Sequence, residues 1–160
     1  MLALAGWIVL SFGVAGESGA ARPGAWYRGI NKPSWNPPDW VFAPVWSLLY
    51  TLMGVAAWLV WQQRAETAVQ LALGLFVVQL LCNALWSWLF FGWHRMGVAM
   101  LELMVLWCLI LATIVAFWQV RPLAGGLLIP YLTWVSFAGF LNYTLWRLNR
   151  PGVTPGARHG

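Results

Sequence analysis

Apolar positions run through this chain in five blocks separated by short polar stretches. Trp40 to Gln63 carries no charge, nor does Thr67 to Trp93, nor Pro122 to Trp146; Met96 to Val120 carries one, Glu102. A helix needs about 20 apolar residues to cross the roughly 30 Å hydrocarbon core of a bilayer. Four blocks meet that length. The first, Met1 to Gly16, is shorter and leads into Glu17 and a run of small residues. It lacks the positively charged start of a cleaved signal peptide, so it reads as a retained helix. The pattern predicts an all-α membrane protein, a compact bundle of five transmembrane helices at about 4–21, 38–61, 67–91, 96–118 and 123–148. It forms one domain, 1–149, with a long structured loop between helices 1 and 2 and a flexible tail at 150–160.

Local signals sharpen these bounds. Pro37 and Pro38 suit the first turn of helix 2, where a missing amide costs nothing, and Asn36 is placed to cap it. Tight turns fall at Gln62–Glu66 and Gly92–Arg95, and Arg121-Pro122 marks the last break. Pro130 is expected to kink helix 5. With connections this short, consecutive helices run antiparallel. The one long connection, Arg22 to Asp39, holds Trp26, Tyr27 and Trp35, with Trp40 just beyond, and is therefore expected to pack as a lid on the bundle end.

Composition excludes a soluble domain: 61% of residues are hydrophobic, 8% are charged, and mean hydropathy is +0.70. The net charge of +5 does not indicate nucleic acid, because the cations sit at helix ends. With alternating sides, Arg22, Arg28, Lys32, Arg95, Arg147, Arg150 and Arg158 share one side and Arg64 and Arg121 the other. That places the first loop and the C-terminus inside and the N-terminus outside. Cys82 and Cys108 fall within spans, with no disulfide or metal spacing, and His94 and His159 have no ligand partners, so no metal site is expected. Nothing beside Glu102 pairs with it as a catalytic acid, base or nucleophile.

Fourteen tryptophans are the chain's most unusual component. Trp7, Trp26, Trp35, Trp40, Trp58, Trp61, Trp93, Trp118 and Trp146 lie near helix ends or in the first loop, where an interfacial belt accounts for them. Trp46, Trp86, Trp88, Trp107 and Trp134 lie deeper, and a mid-span indole N–H needs a partner in the bundle or on a ligand. Trp46, Asn83, Glu102, Asn142 and Tyr143 share one depth on the lid side. Helical spacing lines up Phe42, Trp46, Tyr50 and Met53 on helix 2. It does the same for Asn83, Trp86, Ser87 and Phe90 on helix 3, and for Trp134, Ala138, Leu141 and Asn142 on helix 5. These faces describe an aromatic pocket with a few polar handles. Each piece also has a plain structural reading. An aromatic stripe serves helix packing, Asn83 an interhelical hydrogen bond, and Glu102 a structural partner. Small residues, Gly13, Gly16 and Ala20 on helix 1 and Ala68 and Ala72 on helix 3, would allow close approach of a second copy.

The stretch Trp26-Tyr27, Asn31-Lys32-Pro33-x-Trp35-x-Pro37-Pro38, Val41-Phe42 and Trp46-x-x-x-Tyr50 resembles the TspO/MBR family. So do Asn83-Ala84-Leu85-Trp86, Pro130-Tyr131-Leu132-x-Trp134 and Leu141-Asn142-Tyr143-x-x-Trp146-Arg147; the likeness spans Trp26 to Asn149. These are tryptophan-rich sensory proteins of bacteria, with mitochondrial translocator-protein relatives. The resemblance implies five transmembrane helices, a homodimer, and binding of protoporphyrin IX or haem as ligand, with no obligatory cofactor. Mitochondrial members also bind cholesterol and benzodiazepine-site drugs such as PK11195. Carried over by motif, the site comprises Trp26, Trp35, Phe42, Trp46, Asn83, Trp86, Trp134 and Ala138. Leu141, Tyr143 and Arg147 fit the family's sterol-recognition pattern, and Arg28 and Lys32 are placed to meet porphyrin propionates or anionic lipid. Two alternatives follow from the same residues: light- or radical-driven porphyrin degradation through the pocket tryptophans, and a dimeric membrane scaffold.

Overall fold

The computed structural model describes residues 2–18, 24–63 and 67–150. Their regular elements are helical throughout: α1 (Leu2–Ser18), α2 (Ala25–Gly29), α3 (Asp39–Trp61), α4 (Thr67–Ser87), α5 (Met96–Val120), α6 (Pro122–Leu127) and α7 (Ile129–Leu148). Four segments are long and apolar enough to cross a membrane: Asp39–Trp61, Ala68–Gly92, Met96–Val120 and Pro122–Leu148. The apolar stretch of α1, Leu2–Val14, is shorter. The expected end of the first helix near residue 21, Ala20, the cations Arg22, Arg64 and Arg158, His159 and the tail at 151–160 lie outside the described residues.

Several boundaries depart from the sequence pattern, each for a local reason. α3 starts at Asp39 after an extended Pro38, and Asn36 does not cap it. The Asn36 amide instead donates to the Pro37 carbonyl at 2.9 Å and its Oδ1 accepts the Tyr27 hydroxyl at 2.9 Å. Pro44 sits inside α3, where its missing N–H leaves the Trp40 carbonyl without its helical donor. The last membrane segment is interrupted close to Pro130, where a kink was expected. It breaks at Leu128, and α7 restarts with Pro130 in its first turn, where proline is tolerated. α4 runs on into a π-helical turn at Trp88–Gly92, closed by the Trp93 amide donating to the Trp88 carbonyl at 2.8 Å.

α1 packs on α3 and α4, and α5 packs between α4 and the α6–α7 pair. The α1–α3 crossing is close because Gly54 has no side chain: a Cβ there would lie 2.8 Å from the Ile8 Cα. Ala72, expected on an outer small-residue face, is fully buried in the bundle, so it is not available to a second copy. Gly13 has open space around it.

The arrangement of α3 against the last segment positions everything that follows. α6 packs directly on α3, and the Arg121 guanidinium donates to Gln62 Oε1 at 3.3 Å at that end. Past the Leu128 break, α7 draws away, and the α3 and α7 backbones hardly approach. A wedge opens between them, wide toward α2 and the first loop. Aromatic side chains fill it.

Candidate functional site

Rings from α3 and α7 meet across the wedge. Trp134 stands edge-on to Phe42, centroids 6.0 Å apart, and to Trp46 at 6.5 Å; Trp46 also meets Tyr131 at 6.3 Å. Beneath them Trp46 stacks on Tyr50 at 5.3 Å, and the Asn83 amide donates to the Tyr50 hydroxyl at 2.8 Å. Asn83 thus holds the floor of the wedge through Tyr50.

Above this floor lies a cavity of ≈ 20 Å³ lined by Tyr27, Phe42, Trp86, Phe90, Trp134, Phe137, Ala138, Leu141 and Asn142, among others. A single water needs roughly 10–15 Å³ by the same measure, so the space is close to that of one solvent molecule. Two polar atoms lack partners among the described residues at this cavity: Trp86 Nε1, a donor, and Asn142 Oδ1, an acceptor. The other end of the Asn142 amide donates to the Met96 carbonyl at 3.2 Å. Each orphaned atom costs about 1–3 kcal/mol. Two residues of the cavity wall therefore carry an unused donor and an unused acceptor.

The lid is α2 and the turn after it. Tyr27 is its keystone, 1% exposed, edge-on to Phe42 and Phe90. Burial pushes the Tyr27 phenol above its ordinary range; the Asn36 hydrogen bond opposes this and the Asp39 carboxylate adds to it. Asn149, just past α7, clamps the lid in both directions. The Asn31 amide donates to Asn149 Oδ1 at 2.9 Å, and Asn149 Nδ2 donates to the Asn31 carbonyl at 2.9 Å. Trp26 stacks on His94 at 4.1 Å and 19°, which ties α2 to the α4–α5 turn. His94 holds a positive φ of 56° there, a strained position for a residue with a side chain.

The sequence-predicted residues divide accordingly. Phe42, Trp86, Trp134 and Ala138 line the cavity, and Trp46 and Asn83 lie below it. Trp26 and Trp35 flank the lid instead: Trp26 on His94, Trp35 on the outer side of α7 stacked on Phe140 at 5.3 Å. Lys32 donates to the Arg28 carbonyl at 3.1 Å and lies 4.9 Å from the Tyr27 ring centre, outside the cavity wall, and Arg28 is exposed on the lid surface. The sterol-pattern residues fall on two faces. Leu141 is buried at the cavity, whereas Tyr143 is 39% exposed on the opposite side, with the Arg147 guanidinium 5.8 Å from its ring centre. Two residues apart on a helix cannot share a face. Tyr143 therefore does not join the inward polar set.

Nor do all five deep tryptophans point inward. Trp88 is 37% exposed, and Trp107 donates to Ser136 Oγ at 2.8 Å beside an outer groove between α5 and α7. Glu102 lies off the cavity wall, its carboxylate oxygens without partners among the described residues. Sequence reasoning about the site passed over Tyr27, Phe91 and Phe137. Phe137 was legible, one turn beyond Trp134. Phe91 lies one residue beyond the Asn83, Trp86, Ser87 and Phe90 face, in the π-helical turn, and lines the cavity beside Phe90 just as the adjacent pairs Phe137–Ala138 and Leu141–Asn142 do on α7.

Comparison with known proteins gives a consistent result. The profile of the TspO/MBR family matches residues 2–147. Protein CrtK of Rhodobacter capsulatus is 46% identical over 143 residues, covering 88% of this chain and 89% of that protein. Tryptophan-rich protein TspO of Chlorobaculum tepidum is 41% identical over 150 residues, 92% and 95% of the two chains. The human Translocator protein is 47% identical over 127 residues, 78% of this chain and 75% of its own.

Proposed function

This chain belongs to the TspO/MBR family, and on that footing we propose that it binds a tetrapyrrole of the protoporphyrin IX or haem type between α3 and α7, in porphyrin transport or stress and pigment regulation. It is an integral membrane protein. In this reading α1 supplies a fifth span, the lid and C-terminus face inside, and the working unit is a homodimer. The observation that carries the site is the wedge: aromatic rings on both walls, one unused donor and one unused acceptor, and a clamped lid.

The energetics suit a flat aromatic ligand. Parting one ring pair forfeits about 0.5–1.5 kcal/mol, and stacking the same rings on a porphyrin returns a similar amount. The exchange at the rings is near even. The net gain comes from close packing and from the polar atoms the ligand satisfies, since lipid already keeps its apolar surface from water. Arg28 and Lys32, on the lid at the membrane edge, are placed for propionates that stay near the headgroups.

The test is titration of protoporphyrin IX against tryptophan fluorescence, in the unmodified chain and in Trp46→Phe with Asn83→Ala. Quenching in the first and weakened affinity in the second are expected. Equal affinity in both would remove this site from consideration.

A further inference from the structure

The wedge has a second opening. On the lipid-facing side of the bundle, a groove of ≈ 420 Å³ runs between α3 and α7, lined by Val45, Leu48, Ile129, Thr133, Trp134 and Phe137. Trp134 and Phe137 also line the interior cavity. These two rings, centroids 5.5 Å apart, are therefore the wall that separates the outer groove from the inner space. The larger outer groove between α5 and α7, ≈ 620 Å³, shares no lining residue with that cavity. Its floor is tight: a Cβ on Gly139 would lie 2.9 Å from the Leu103 side chain.

The wall stands on the second and third turns of α7, shortly after the Leu128 break. Pro130, in the first turn of α7, offers no amide to the preceding chain. One helical hydrogen bond is therefore missing at the start of α7, which packs on α5 along its other side, and an interruption of this kind is where hinges form. The α3 backbone does not brace it, since the two hardly approach. The groove is also chemically smooth. Thr133 is its one hydroxyl, and that hydroxyl already donates to the Ile129 carbonyl at 3.0 Å. The lid, by contrast, is shut by the buried Tyr27 and by the two-way Asn31–Asn149 clamp.

We propose that the α3–α7 groove is a lateral portal, through which a flat apolar ligand dissolved in the bilayer reaches the cavity when Trp134 and Phe137 swing aside. The occupant is the plate-like ring system of the proposed function, so the portal rests on that reading. A plate sliding edge-on between α3 and α7 keeps its acidic groups at the headgroup layer throughout and never passes under the lid.

The experiment uses the full chain in lipid nanodiscs and follows tryptophan quenching by protoporphyrin IX in stopped flow. Leu48→Phe and Thr133→Phe add bulk to the groove without touching the cavity, and Thr133→Val keeps the bulk while removing the hydroxyl. The two Phe variants are expected to slow association and release together by about tenfold, leaving Kd unchanged, as obstruction of a gate does. Thr133→Val is expected to match the unmodified chain. Unchanged rates in the Phe variants would overturn the portal and leave the binding site standing. A weakened Kd with unchanged association would also overturn it, making the groove part of the site. Crosslinking through the groove to a second copy would overturn it by naming a different occupant. Absence of quenching in the unmodified chain overturns the tetrapyrrole reading, and the portal for that ligand with it.

Discussion

Asn149→Ala should release the lid. The side chain makes two hydrogen bonds to Asn31 at 2.9 Å across 118 residues of sequence, and a third to the Leu145 carbonyl at 2.8 Å within its own helix end. Only the first two hold the lid. Each contributes about 0.5–1.5 kcal/mol net, the figure for neutral hydrogen bonds that compete with water. Losing both weakens the closed lid by about 1–3 kcal/mol, which multiplies the open population roughly 5- to 150-fold. Hydrogen exchange in the segment 25–38, followed by mass spectrometry in nanodiscs, reads that population directly, because lid opening is a local event well below global unfolding. Asn149→Asp retains the acceptor for the Asn31 amide and loses the donor, so its exchange rate should fall between those of the unmodified chain and Asn149→Ala. Equal lid exchange in all three would mean that Tyr27 and Trp26 hold the lid without the clamp, and the reasoning would be wrong.

Other substitutions probe the packing and the cavity. Gly54→Ala forces a Cβ to 2.8 Å from the Ile8 backbone and should cost about 1–3 kcal/mol by prising α1 from α3; an unchanged melting temperature would contradict that crossing. Trp86→Phe retains the ring stacked 5.4 Å from Phe90 and removes an indole N–H with no partner among the described residues, so stability should hold or rise, by up to about 1–3 kcal/mol; a clear loss would reveal a partner for that N–H. The Tyr27 phenol is held above its ordinary value of 10.0, so its contribution to lid closure is fully present below that value and is lost as pH rises through the higher folded value. Lid exchange should therefore be flat in this respect across neutral pH and accelerate in strong alkali, and Tyr27→Phe should abolish the alkaline step.

The membrane class and the inward faces of three helices were legible because burial in lipid and in a bundle leaves a coarse, repeated signature. Phe42, Trp86, Trp134 and Ala138 fell where helical periodicity put them. What was hidden depended on single backbone events. Phe91 sits in a π-helical turn, where the regular spacing no longer applies, and the last segment is interrupted at Leu128, two residues before Pro130. Neither shifts hydropathy, so neither shows in the pattern. Depth alone also misled. Glu102 and Tyr143 belong to the set expected at one depth but lie off the cavity wall, and Asn36, placed for a helix cap, serves Tyr27 instead. Sequence spacing gives height along a helix more firmly than rotation about it once a helix carries an insertion or a break.

The wedge is closed at the α6 end and open at the lid end, and this asymmetry concerns the bilayer as much as the ligand. On the proposed function, widening it enough to seat a plate would enlarge the protein's footprint in the lid-side leaflet alone. The work of opening is then done against the lateral pressure of that one leaflet, while the opposite leaflet is unaffected. Lipids that crowd the lid-side leaflet would then oppose occupancy and lipids that relax it would favour occupancy, which makes the packing state of a single leaflet a term in the proposed binding equilibrium.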